Sequence, residues 1–197
     1  LMSEVSYKDF DILSEQDKAE ALALINRYDQ LDKQDSCQAD FMSFIKHMWP
    51  EFIEGRHHKI IADKFNRIAD GKLKRLIVCL PPRHSKSEFA STFFPAWMMG
   101  RRGDLKIIQT THTAELAVRF GRKVRNLIGS EDYQHVFPEL QLQADNKSAG
   151  RWTSNQEGEF FAAGVGGAIT GRGADLLVID DPHSEQDAMS PKALESA

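Results

Sequence analysis

The sequence predicts an α/β fold, a mainly parallel sheet flanked by helices with a helical N-terminal leader. Three observations predict it. Short apolar runs at Arg75–Leu80, Leu105–Thr110 and Leu176–Ile179 alternate with longer stretches of helical periodicity. Strands separated by helices favour a buried parallel sheet that binds ligands at the carboxyl ends of its strands. The 197 residues, 41% hydrophobic and 27% charged, suit one principal domain with a sizeable core and exclude a chain disordered throughout. The longest apolar run, Phe93–Met99, has seven residues, where a membrane span needs about 20, so the chain reads as soluble and intracellular.

The elements follow in order. Ser14 is placed to cap a helix carrying Leu22, Ile25, Tyr28 and Leu31 at helical spacing. A second apolar helix follows Asp40 with Phe41, Phe44, Ile45 and Met48, and Pro50 closes it because proline cannot continue the ladder. Residues 1–40 therefore read as the leader and 41–197 as the α/β domain. Within that domain the pattern gives a helix over 57–70, a turn at Gly71, a strand at Arg75–Leu80, and a loop and helix from about Lys86. A strand at Leu105–Thr110, a helix at Ala114–Ile128, a hairpin-like region at Trp152–Ala163 and a last strand at Leu176–Ile179 complete it. Leu1 ahead of Met2 reads as a cloning remnant rather than a natural start. Cys37 and Cys79 stand far apart with no CxxC or Cys/His cluster, so neither a disulfide framework nor a zinc site is expected.

Net charge is −4, but the average conceals opposed blocks. Residues 1–54 hold 5 Lys/Arg against 12 Asp/Glu, residues 55–125 hold 16 against 5, and residues 126–197 hold 4 against 12. A middle third this basic suits phosphates, whether of a nucleotide or of a nucleic-acid backbone. Solvated helix faces paired with the acidic flanks would produce the same count. Arg119, Arg122, Lys123 and Arg125 share one predicted helix, where both readings stay open.

After the apolar run at 75–80 comes Pro81-Pro82-Arg83-His84-Ser85-Lys86-Ser87, a Lys-Ser pair between strand and helix. A phosphate-binding loop needs backbone N–H groups and a helix N-terminus aimed at phosphates, an ammonium near the β/γ oxygens, and a hydroxyl on magnesium. Lys86 and Ser87 suit the last two roles. The strict pattern fails, because Leu80 and Ser85 occupy its glycine positions. Ser85 must therefore adopt an unusual dihedral or reshape the loop. The competing reading is an ordinary helix start capped by Ser85.

Leu176–Ile179 ends in Asp180-Asp181. An apolar strand finishing in two acids is what a magnesium-liganding carboxylate, Asp180, followed by a water-polarising one, Asp181, requires; alone, the pair would equally be a turn or helix cap. Five glycines crowd the ten residues Gly164–Gly173 just before that strand. They present Arg172, which suits either a charge-stabilising finger on its own or a neighbouring subunit's site, or an ion pair with Asp175.

Taken together, the loop from Pro81 to Ser87, the Phe94-Pro95-Ala96-Trp97 stretch with Gly100, and the unbroken run Gly164–Asp175 into Leu176–Pro182 resemble the ATPase region of the large terminase subunit. That family is the motor packaging double-stranded DNA into tailed-phage heads, and the likeness spans roughly residues 41–190. It implies a P-loop NTPase fold of the ASCE type and an ATP hydrolase using ATP and Mg2+. Pro82, Arg83, His84, Ser85, Lys86 and Ser87 would form the Walker A cradle, with Arg83 adding positive charge. Ser87 and Asp180 would hold the metal, and Asp181 would act on water as part of Walker B, with Glu185 as a weaker substitute. His58, within Arg56-His57-His58-Lys59, would contact the base or position the loop's helix. The family further implies double-stranded DNA, a portal protein and a small terminase subunit as partners, a homo-oligomeric ring, and a location in the host cytoplasm and transiently on the procapsid. The chain would then be truncated after Walker B, without a nuclease domain and weakly active. The alternatives are a helicase-like nucleic-acid-remodelling ATPase and a non-catalytic nucleotide- or DNA-binding module.

Overall fold

A computed structural model describes residues 14–143, 148–167 and 169–183. Glu185 and the leader's first 13 residues lie outside them. Helix α1 (Glu15–Ala39) starts where Ser14 accepts a hydrogen bond from the Asp17 N–H at 3.2 Å, satisfying one of the donors that every helix start leaves open. Asp40 ends it and caps α2 (Phe41–Met48), accepting from the Ser43 N–H at 2.8 Å. Helix α3 (Arg56–Ala69) follows, and Gly71 makes the next turn with φ of 71°.

The segment 73–81 departs from expectation. Leu76, Val78 and Leu80 lean on the core, while Ile77 is 90% exposed, and among the described residues no strand pairs with them. The alternating burial that sequence reads as a strand is present; the ladder partner is not. After the loop the chain winds into a π-helical turn (Glu88–Phe93), where the Phe94 N–H bonds the Phe89 carbonyl five residues back. Helix α4 (Phe94–Arg101) continues from it.

The sheet comprises β1 (Lys106–Thr111), β2 (Arg151–Thr153), β3 (Glu159–Gly164) and β4 (Leu176–Ile179) in the order β2-β3-β1-β4. Strand β1 runs parallel to both β3 and β4, and β2 pairs antiparallel with β3, giving the expected hairpin. Helices α5 (Ala114–Ile128) and α6 (Glu131–Val136) stand between β1 and β2 in sequence, and α5 packs on β1 and β3. Gly121 on α5 is required there, since a Cβ would meet the Ala149 carbonyl at 2.5 Å. Leu177 and Ile179 are 55% and 57% exposed, so β4 is bare on alternate residues. The observed architecture is thus a mixed α/β domain with a four-stranded, mostly parallel sheet and helices packed against it.

The core that positions the site is aromatic. Phe41 meets Phe65, Phe89, Phe94 and Trp97 edge-on at centroid distances of 5.2 to 5.8 Å, the geometry that ring quadrupoles favour. Each ring buried this way contributes about 1.5–3 kcal/mol. The cluster clamps α2, α3, the π-helical turn and α4 together. Trp97 Nε1 donates to the Cys37 carbonyl at 2.8 Å, and the Tyr133 hydroxyl to the Ala96 carbonyl at 2.7 Å, so the buried polar edges of these rings are satisfied. Cys37 and Cys79 are both free thiols. Among the described residues no helix is long and apolar enough to cross a membrane.

Candidate functional site

The loop and the carboxylate pair meet at the carboxyl end of β4. Lys86 begins the helical segment after the loop, and its ammonium touches Asp181 Oδ1 and stands 3.4 Å from Asp180 Oδ1. The contact joins groups 95 residues apart in sequence. Burial of the ammonium works against its charge, but the two carboxylates outweigh that and hold the Lys86 pKa above the ordinary lysine value. Asp180 is 5% exposed and Asp181 stays open to solvent. Leu80 through Glu88 and Asp181 line a cavity of about 570 Å³, so Pro82, Arg83, His84, Ser85, Lys86 and Ser87 all stand on its wall.

The loop holds this shape under strain. Arg83 has φ of 64° and Ser85 of 60°, the left-handed region in which a Cβ crowds the backbone. Ser85 therefore occupies the conformation that glycine supplies cheaply in the strict pattern. Asp181 is left-handed as well, with φ of 44°. Three of the four non-glycine residues with positive φ among the described residues thus lie on this one cavity. Each costs on the order of 1–3 kcal/mol and persists where surrounding contacts over-determine it. Those contacts are present. His84 Nδ1–H donates to the Pro82 carbonyl at 2.9 Å, and the Phe89 N–H bonds the Ser85 carbonyl at 3.0 Å. The Asp181 carbonyl accepts from the His112 backbone N–H at 3.2 Å and from His112 Nδ1 at 3.3 Å.

Asp180 is anchored from below. Its backbone N–H donates to the Thr110 carbonyl at 2.9 Å, extending the β1–β4 ladder, and Ser91 of the π-helical turn donates to its Oδ2 at 2.9 Å. Ser91 and His112 are the site residues that sequence reading did not single out. Neither carries a local signal, since each meets its partner across 89 or 69 residues.

Two expected residues lie elsewhere. His58 is 6% exposed and absent from the cavity wall, accepting from the Gly55 N–H on Nδ1 at 2.9 Å and stacking on Phe89 at 5.0 Å. His57 packs beside it, 3.8 Å from the His58 ring and 5.5 Å from the His84 ring, and His58 also adjoins the His84 backbone of the loop. His58 thus supports the loop's helix through Phe89 rather than facing the cavity. The neighbouring Lys59 turns to Glu54 at 2.8 Å. Arg172 lies over the Phe161 ring at 3.9 Å and bonds Glu159 at 3.1 Å. Glu159 begins β3, whereas Asp180 follows the end of the parallel β4. Arg172 is therefore at the opposite end of the strands from Lys86 and is not a finger for its own chain's cavity. Its expected partner Asp175 pairs instead with Arg102 at 3.4 Å and accepts from the Lys106 N–H at 2.9 Å. Gly166 and Gly171 take φ of 80° and 83° on the turns leading there.

The donor set fits a hard divalent cation beside phosphates. Asp180, Asp181 and the Ser87 hydroxyl are oxygen donors, and Mg2+ takes one or two carboxylates, phosphate oxygens and water. Lys86 now supplies the cationic charge between the two acids. The site thus defines a class: an α/β domain with an ammonium, a hydroxyl-bearing loop and paired carboxylates gathered at the carboxyl end of a parallel strand. In comparisons with protein-family models, curated proteins and solved structures, nothing matches the chain.

Proposed function

We propose that this domain is the ATP-hydrolysing part of a DNA-packaging motor of the large terminase type, with a P-loop NTPase fold. The observation that carries the reading is the convergence of Lys86 with Asp180 and Asp181 beside a loop in which Arg83 and Ser85 take positive φ. Lys86 would hold the β/γ-phosphates, releasing Asp181 as the triphosphate replaces it as counter-charge. Asp181, solvent-accessible and freed from the ammonium, would then orient and polarise the attacking water. Ser87 and Asp180 would hold Mg2+, which supplies neutralisation of the phosphate charge when bound. Arg83 and the helix N-terminus border the same cavity and would add positive charge toward that anion. Double-stranded DNA, portal protein, small terminase subunit and a ring of like subunits belong to the proposal through the family resemblance. A finger from Arg172 could then serve only a neighbouring subunit.

Lys86→Ala tests it. Mg2+-dependent ATP hydrolysis should fall by about 10²-fold or more, the loss that follows removal of a preorganised charge-stabilising donor. Unchanged turnover would remove the loop assignment. A non-catalytic binding module is the second reading, favoured by Leu80 and Ser85 standing at the two glycine positions of the strict loop pattern. Calorimetry with a non-hydrolysable ATP analogue and Mg2+ separates the possibilities. With ATP itself assayed in parallel, analogue binding without ATP turnover means a nucleotide-binding module, turnover means an ATPase, and no heat means that the chain has no nucleotide site.

A further inference from the structure

Ser91 stands four residues beyond Ser87, inside the π-helical turn, and is wholly buried. Its hydroxyl donates to Asp180 Oδ2 at 2.9 Å, while Lys86 faces the other oxygen, Oδ1, at 3.4 Å. The two carboxylate oxygens thus have different partners, one tied into the interior and one facing the lysine of the loop. An aspartate held only by its backbone rotates broadly about χ2 and offers either oxygen. We propose that Ser91 is a positioning residue that locks the Asp180 carboxylate so that Oδ1 is the oxygen offered to a divalent cation. The proposal rests on the nucleotide-site reading above.

The π-helical turn is the device that allows it. A π turn inserts an extra residue into the hydrogen-bonded ring and so changes which side chains face the sheet, and such turns recur at functional sites. Here the turn is fixed on both sides by Phe89 and Phe93, which are 1% and 8% exposed. Phe89 sits against Phe41 and His58, and Phe93 against Trp49 and Phe44. The adjacent hydroxyl of Thr92 is also buried, yet it finds no partner. Burial in this turn alone therefore does not produce a hydrogen bond; the Ser91–Asp180 pairing is particular. With one oxygen tied to a neutral donor, the other is presented in a single direction.

The experiment compares wild type and Ser91→Ala in the full 197-residue chain. It measures Mn2+ affinity by electron paramagnetic resonance with a non-hydrolysable ATP analogue present, metal-free affinity for that analogue, and thermal unfolding. A loss of about fivefold or more in Mn2+ affinity, with metal-free analogue affinity unchanged, supports the positioning role. A lowered melting temperature with Mn2+ affinity unchanged overturns it and leaves Ser91 as packing. Should the alanine variant not fold, Ser91→Cys keeps the volume with a weaker donor. Weaker Mn2+ binding there supports the role, and wild-type Mn2+ binding overturns it. Wild type that binds neither Mn2+ nor analogue overturns the nucleotide-site reading and the role of Ser91 together, an outcome distinct from loss of the Ser91 effect alone.

Discussion

Gln109 shows how a single side chain sets a cost that the site inherits. It is fully buried in β1, and among the described residues neither its Oε1 nor its Nε2 finds a partner. By strand alternation and register it shares a face with Val178 and hence with Asp180, two residues further along β4. An amide without protein partners in an apolar layer costs about 1–3 kcal/mol. Gln109→Met, similar in length and without polar hydrogens to satisfy, should therefore raise the urea midpoint with little change in slope, by an amount within that range. A lowered midpoint would mean that the amide is satisfied by solvent or ligand and belongs to the site. Local pattern makes Lys86, Ser87, Asp180 and Asp181 legible in the sequence, because each sits where a strand or helix must end. Gln109, Ser91 and His112 carry no such mark. Their significance arises only when β1, β4 and the π-helical turn come together, and a one-dimensional pattern does not encode that meeting.

Helix starts are the elements read most directly, because their chemistry is local. Ser14, Asp40, Thr113 and Ser130 each accept an N–H from the first turn of the helix they precede; Ser14 and the helix after Asp40 are legible in the sequence, whereas the caps Thr113 and Ser130 and the short helix α6 are not anticipated there. The strand expected at Arg75–Leu80 is where structure and expectation part: apolar alternation describes its burial, but a strand also needs a neighbour, and among the described residues none pairs with it. In α1, Leu22, Ile25, Tyr28 and Leu31 keep helical spacing yet are 50–60% exposed, so periodicity predicts the helix without predicting what it packs on. Helix α3 carries its own pH dependence through His58, whose neutral Nδ1 completes the start of the helix. Burial, reinforced by the neighbouring His57, pushes the His58 pKa below its ordinary 6.5. The folded state therefore binds this proton less readily than the unfolded chain. Stability from neutral His58 is full above pH 6.5 and is lost as pH falls through the lowered folded value. Urea midpoints at pH 7.5 and 5 should differ in wild type, and the difference should shrink in His58→Phe, which keeps the ring stacked on Phe89. An unchanged difference would assign the acid sensitivity to another group.

At the scale of the whole molecule, charge is segregated along the chain, and α5 carries one exposed part of the basic third. Lys123 is drawn to Glu88 at the start of the π-helical turn, tying α5 to the segment that follows the loop. Arg119 and Arg122 are exposed beside a shallow cavity of about 340 Å³ that they share with Glu115. Surface charge of this kind adds little to folding stability, so its removal is a clean probe of binding. If α5 meets duplex DNA, each neutralised phosphate releases condensed counterions, and log Kobs falls with log salt by about 0.9 per contact. Arg119→Gln with Arg122→Gln should then weaken duplex binding at low salt and reduce the steepness of that fall by up to about 2, while melting temperature stays near wild type. Titrations of a labelled duplex between about 50 and 200 mM salt decide it. A slope identical to wild type would clear Arg119 and Arg122 of phosphate contact and leave any such contact to the other exposed basic residues of the middle third, among them Arg83 of the loop.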